Sequence, residues 1–156
     1  MKKGFTMIEL IFVIVILGVL ASVAIPRLAA TRDDAEVAKA ATNLATAISD
    51  ISAYYTAQGS FGDFANMTSA VNSSGQLNVK GSNTCLTLQL EGGGKAVTGG
   101  AKSSDPAKIT FQINGTDPVC KQLQKISGIK SMCGQTADLT SATKCTINVG
   151  GSGVDW

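Results

Sequence analysis

Residues 5–25 read FTMIELIFVIVILGVLASVAI, twenty-one residues with a single charge, Glu9, placed behind the basic pair Lys2 and Lys3. Wound as a helix at ~1.5 Å per residue, this run spans roughly 31 Å, about the hydrocarbon thickness of a bilayer. The positive-inside rule keeps Lys2 and Lys3 in the cytoplasm, so the body of the chain is expected outside it. Beyond Pro26 the stretch RLAATRDDAEVAKAATNLATAISDISAYYTAQG continues without a stop signal to Gln58, with Gly59 as the expected terminator. Val37, Ala41, Leu44, Ile48, Ile51 and Tyr55 recur at alternating spacings of four and three. That period makes one apolar face, suited to receive a sheet. One helix, apolar in its first half and amphipathic in its second, therefore organises the fold.

Ordinary explanations of the apolar run are a secretory signal, with Ser22 and Ala24 as a small-x-small cleavage site, and a plain single-pass anchor. Neither accounts for Glu9, because an ionised carboxylate in an apolar helix costs ~2.5–3.5 kcal/mol on insertion scales. Gly4-Phe5-Thr6-Met7-Ile8-Glu9-Leu10, behind a short basic leader, resembles the class III leader of type IV pilins and of the pseudopilins of type II secretion. The resemblance implies that a prepilin peptidase cuts after Gly4 and methylates the new amine of Phe5. It also implies that Glu9 serves assembly, pairing with the Phe5 amine of a neighbouring subunit. Gly4 has no side chain to shield the scissile bond, and cleavage removes Lys2 and Lys3. Pro26 cannot donate to the carbonyl of Ser22, so a bend is expected near Ile25. In the family, the stretch matching 18–26 can unwind, and Gly18 weakens a helix by ~1 kcal/mol relative to alanine. The organisation expected on these grounds is a leader at 1–4, a transmembrane and filament-core helix at 5–28, the amphipathic half of the same helix at 29–58, and a periplasmic head at 59–156.

The head holds 15 of the 17 glycines. Leu86, Leu88 and Leu90 alternate with Cys85, Thr87 and Gln89, and Ile109, Phe111 and Ile113 with Thr110 and Gln112, as half-buried strands do. The first run leads into Gly92-Gly93-Gly94 and a short stretch around Ala96-Val97-Thr98 that is read as completing a hairpin. Residues 59–81 are read as a connection tacked down by Phe61, Phe64 and Met67. Asp117-Pro118 reads as a helix cap and first position; Val119, Leu123 and Ile126 form that helix's apolar side, and Gly128 should end or weaken it. Cys145-Thr146-Ile147-Asn148-Val149 is a final strand. The fold class is α+β: a long N-terminal helix packed on a small antiparallel sheet, a pilin-like arrangement.

Cys85, Cys120, Cys133 and Cys145 all fall in the part expected outside the cytoplasm, with no C-x-x-C spacing. Two structural disulfides are expected rather than zinc or redox chemistry. Four cysteines allow three pairings. The favoured one is Cys85 with Cys120, tying the first strand to the short helix, and Cys133 with Cys145, closing a loop near the C-terminus. Pilins often close such a loop with cysteines.

Composition narrows the function. The 156 residues include no histidine, which removes Ser-His-Asp and Cys-His dyads and histidine metal sites. No carboxylate pair or serine motif stands out, and Asp138 and Asp155 are isolated, so no catalysis, metal or cofactor is expected. A net charge of +2 gives no case for direct nucleic-acid binding. Without residues 1–4 the side chains balance at eleven cations and eleven anions, and the positive mean hydropathy of +0.20 belongs to the helix. The expected role is a structural subunit of a type IV pilus or of a type II secretion or competence pseudopilus. Its expected partners are identical or related subunits, the prepilin peptidase, an inner-membrane assembly platform, and membrane lipid before assembly. The expected location is the bacterial inner membrane with the head in the periplasm, then a periplasmic pseudopilus or extracellular pilus. The competing reading is a soluble exported binding domain released by an ordinary signal peptidase near Ala24.

Overall fold

The computed structural model describes residues 4–93, 106–136, 138–139 and 143–150. Helix α1, Met7–Gln58, is continuous through Pro26 and ends where expected: Gly59 adopts φ 70° and its N–H donates to Tyr55 O at 2.8 Å. The chain forms two compact units, Met1–Ala35 and Glu36–Trp156. The first consists of α1 as far as Ala35 and the segment before it.

In the second unit, the rest of α1 shares one hydrophobic core with a four-stranded antiparallel sheet. The strands are β1 (Gln76–Val79), β2 (Asn83–Glu91), β3 (Lys108–Ile113) and β4 (Cys145–Asn148), each beside its sequence neighbour. Leu86, Leu88 and Leu90 pair with Ile113, Phe111 and Ile109, and these six side chains are buried. The period-two pattern in both runs thus specifies register as well as strand.

The helix face that meets the sheet keeps the expected Val37, Leu44 and Ile51 but is centred differently. Its buried line is Val37, Ala40, Leu44, Ala47 and Ile51, while Ala41, Ile48 and Tyr55 lie half-buried beside it. Counting bulky residues misplaces the centre of the face, because alanines 40 and 47 are buried in it. A methyl group there is buried with the larger side chains around it.

Residues 59–81 are more than a connection. They contain a single helical turn, α2 (Phe64–Met67), and the edge strand β1, whose Leu77 and Val79 are each 1% exposed. A four-residue strand with two polar members gives too little alternation to stand out from a loop. Lys80 and Gly81, both at positive φ, turn it into β2. The expected partner of β2 around Ala96-Val97-Thr98 lies outside the described residues, among which β2 pairs with β1 and β3.

Asp117 and Pro118 do begin a helix, α3 (Pro118–Leu123). Gly128 does not end it. The chain turns after Leu123, and Gly128 belongs to a second short helix, α4 (Ser127–Met132), whose Ile129 is buried while a side chain at 128 would meet open space. The glycine costs about 1 kcal/mol relative to alanine, which burial of Ile129 offsets.

Candidate functional site

Glu9 stands in the first turn of α1 and its carboxylate is bound from within the chain. Oε2 accepts from the Thr6 N–H at 3.0 Å and from the Thr6 hydroxyl at 2.8 Å, and Thr6 Oγ1 lies 3.4 Å from the Glu9 N–H it accepts. This is the reciprocal arrangement of a capping box, which satisfies donors that the helix cannot. Thr6 is thus the residue that reading for charge alone overlooks. The spacing Thr-x-x-Glu ahead of an apolar run is its signature, present in the sequence.

Around this turn the surface is apolar on every side. Sixteen large hydrophobic residues from Phe5 to Leu28 are exposed, Phe5 at 87%, whereas Met132 is the single such residue in the rest of the described chain. A helix that is apolar all round is one that another apolar phase must cover. Gly4 is exposed, and a Cβ placed on it, or on Gly18, meets nothing within 4 Å. The smallness of Gly18 is therefore not demanded by its own chain. Pro26 lies eight residues on, inside the helix.

The cysteines pair in the favoured way. Cys85 of β2 is bonded to Cys120 of α3 with Cα atoms 5.2 Å apart, and both residues are fully buried. Cys133, at the end of α4, is bonded to Cys145, which opens β4, across 5.1 Å. The loop they close is anchored elsewhere: Leu139 is buried and donates to Gln124 O, and Asp138 accepts from Lys130 Nζ at 3.2 Å. Asp138, isolated in sequence, is paired in space.

Two further carboxylates are similarly committed. Asp117 accepts from the Val119 N–H at 2.8 Å, from Asn83 Nδ2 at 3.1 Å and pairs with Lys80 at 3.5 Å. The Val119 hydrogen bond foremost, with Lys80 and Asn83 assisting against desolvation, holds its carboxyl below the usual range. It borders an open polar cleft of about 240 Å³ lined by Asn83, Thr84, Gly115, Thr116, Asp117 and Cys120. Glu91 is also held low, chiefly by Lys144 Nζ, which donates at 2.6 Å, with Thr110 Oγ1 donating at 3.2 Å. These carboxylates cap and cross-link. Among the described residues no group of three or more His, Cys, Asp or Glu could hold a metal ion.

The family model for the prokaryotic N-terminal methylation motif matches residues 1–25. No curated protein and no solved structure matches the chain. Residues 1–25 thus carry the prokaryotic N-terminal methylation motif, which is the class III prepilin leader motif of type IV pilins and pseudopilins. Together with one helix long and apolar enough to cross a membrane, it fits a membrane-anchored, exported protein.

Proposed function

We propose that this chain is a structural subunit of a type IV pilus or of a type II secretion or competence pseudopilus, stored in the inner membrane and polymerised through α1. Residues 1–4 are the leader, 5–28 the transmembrane and filament-core part of the helix, 29–58 its amphipathic part, and 59–156 the periplasmic head. The observation that carries the reading is the all-round apolar surface of 5–28 with one hydrogen-bonded carboxylate in its first turn.

A prepilin peptidase cuts between Gly4 and Phe5 and methylates the Phe5 amine. Cleavage removes Lys2 and Lys3, the charges that oppose drawing this end of the helix into a subunit stack, and creates a cation near the depth of Glu9. Lipid covers the helix before assembly and neighbouring helices cover it afterwards. Within the stack, the carboxylate of Glu9 meets the Phe5 amine of the adjacent subunit. A buried charge left without its partner costs ~3–5 kcal/mol, so the pair sets the axial register of helices that otherwise slide on apolar surfaces. The chain is a substrate of the peptidase and a client of an inner-membrane assembly platform; catalysis is not its role.

N-terminal sequencing and intact mass of the membrane-extracted protein test this directly. A mature chain starting at N-methylated Phe5 is expected. A start near Ile25 would instead identify a soluble exported domain released by signal peptidase.

A further inference from the structure

Asn114 and Gly115 form the chain's one Asn-Gly pair. They lie between β3 and α3 beside the polar cleft, and residues 114, 115 and 116 are all exposed. The Asn114 N–H donates to Cys85 O at 2.7 Å, which fixes the backbone. Among the described residues its carboxamide makes no hydrogen bond, and the Gly115 N–H donates none. Packing explains why a glycine stands at 115. A Cβ there would lie 2.8 Å from Cys120 Sγ and 3.0 Å from Cys120 Cβ, at φ 153°. Any side chain would collide with the disulfide that ties β2 to α3. The missing side chain also leaves the Gly115 amide nitrogen unscreened beside the carboxamide carbon of the preceding residue.

We propose that Asn114 is a site of spontaneous deamidation, with water as the only co-reactant. The Gly115 amide nitrogen attacks Cγ of Asn114 and gives up its proton. The Cγ–Nδ2 bond breaks, Nδ2 takes up a proton and leaves as ammonia, and a five-membered succinimide remains. Water adds to either ring carbonyl, and the ring opens to aspartate or isoaspartate at position 114; nothing is oxidised or reduced. The product places a new anion beside the cleft that holds Asp117, and the isoaspartate form adds a backbone methylene where β3 hands over to α3. Two other asparagines have their carboxamides held. Asn72 donates to Gln76 Oε1 and its Oδ1 accepts from the N–H groups of Ser74 and Gln76, and Asn83 donates to Asp117.

The test uses the full chain, detergent-solubilised with both disulfides intact, aged in mildly alkaline buffer and mapped by peptide mass spectrometry. Position 114 is expected to exchange its NH2 for OH roughly tenfold faster than position 72, because glycine follows one and serine the other. Retention of the carboxamide at 114 while the reduced, alkylated and unfolded chain converts there would overturn the proposal. The Asn114→Gln variant should lose the acidic species that accumulates in charge separation; its persistence would assign the chemistry elsewhere and also overturn the proposal.

Discussion

At the scale of single residues, the first turn of α1 holds a carboxylate with one observed contact and one proposed one. Thr6 holds Glu9 within the chain, and Glu9 is proposed to reach a neighbour's amine. Glu9→Ala should insert in the membrane and be cleaved normally, yet filament yield should fall below detection by immunoblot of sheared fractions. Thr6→Val removes a cap worth ~1 kcal/mol, so its yield should drop about fivefold, while Thr6→Ser stays near wild type. Normal filaments from Glu9→Ala would remove the register role. In the head, Glu91 gives a pH dependence. Its folded-state pKa lies below the unfolded value, chiefly through Lys144, so its stabilisation is present above the ordinary carboxylate range and is lost as pH falls through the folded value. Urea midpoints measured from neutral to acid pH should fall less steeply for Glu91→Gln than for wild type. Asp117, shifted the same way, keeps the remaining slope above zero.

At the scale of elements, the buried alanines of α1 make the sharpest prediction. Ala47→Leu should destabilise the head by ~1–3 kcal/mol through overpacking against the sheet, whereas Ala45→Leu, on the exposed side, should stay within ~0.5 kcal/mol in denaturant titrations of the solubilised chain. Equal effects would mean that the buried line is misplaced. The same alanines show what a sequence reveals and what it conceals. α1, β2, β3, α3 and β4 were legible because period, cap and bulk all marked them. The exact face of α1 was not, since in a sequence a small buried residue looks like a small exposed one. β1 was hidden by its length, and the turn after Leu123 by a glycine that pointed to the wrong place. In the candidate site, Gly4, Phe5 and Glu9 stood out as a motif. Thr6 was visible only to a reader checking how the helix's first N–H groups are satisfied.

At the scale of the whole molecule, the two disulfides differ in access although both join a strand to a short helix. Cys85 and Cys120 are fully buried, while Cys133 is half-exposed. Titration with a mild reductant under native conditions, followed by alkylation and mass spectrometry, should open the Cys133–Cys145 bridge first. In the chain-entropy picture the longer loop of Cys85–Cys120 contributes about 4 kcal/mol and the shorter about 3 kcal/mol. Losing the more accessible bridge first should therefore leave the sheet folded, as judged by its near-ultraviolet circular dichroism. The order β1-β2-β3-β4, with every strand beside its sequence neighbour, also has a kinetic meaning. Among the described residues β1 and β2 are joined by a tight turn and can pair as soon as both have emerged across a membrane, whereas the outer edge of β3 stays open until α3 and α4 have passed and β4 follows.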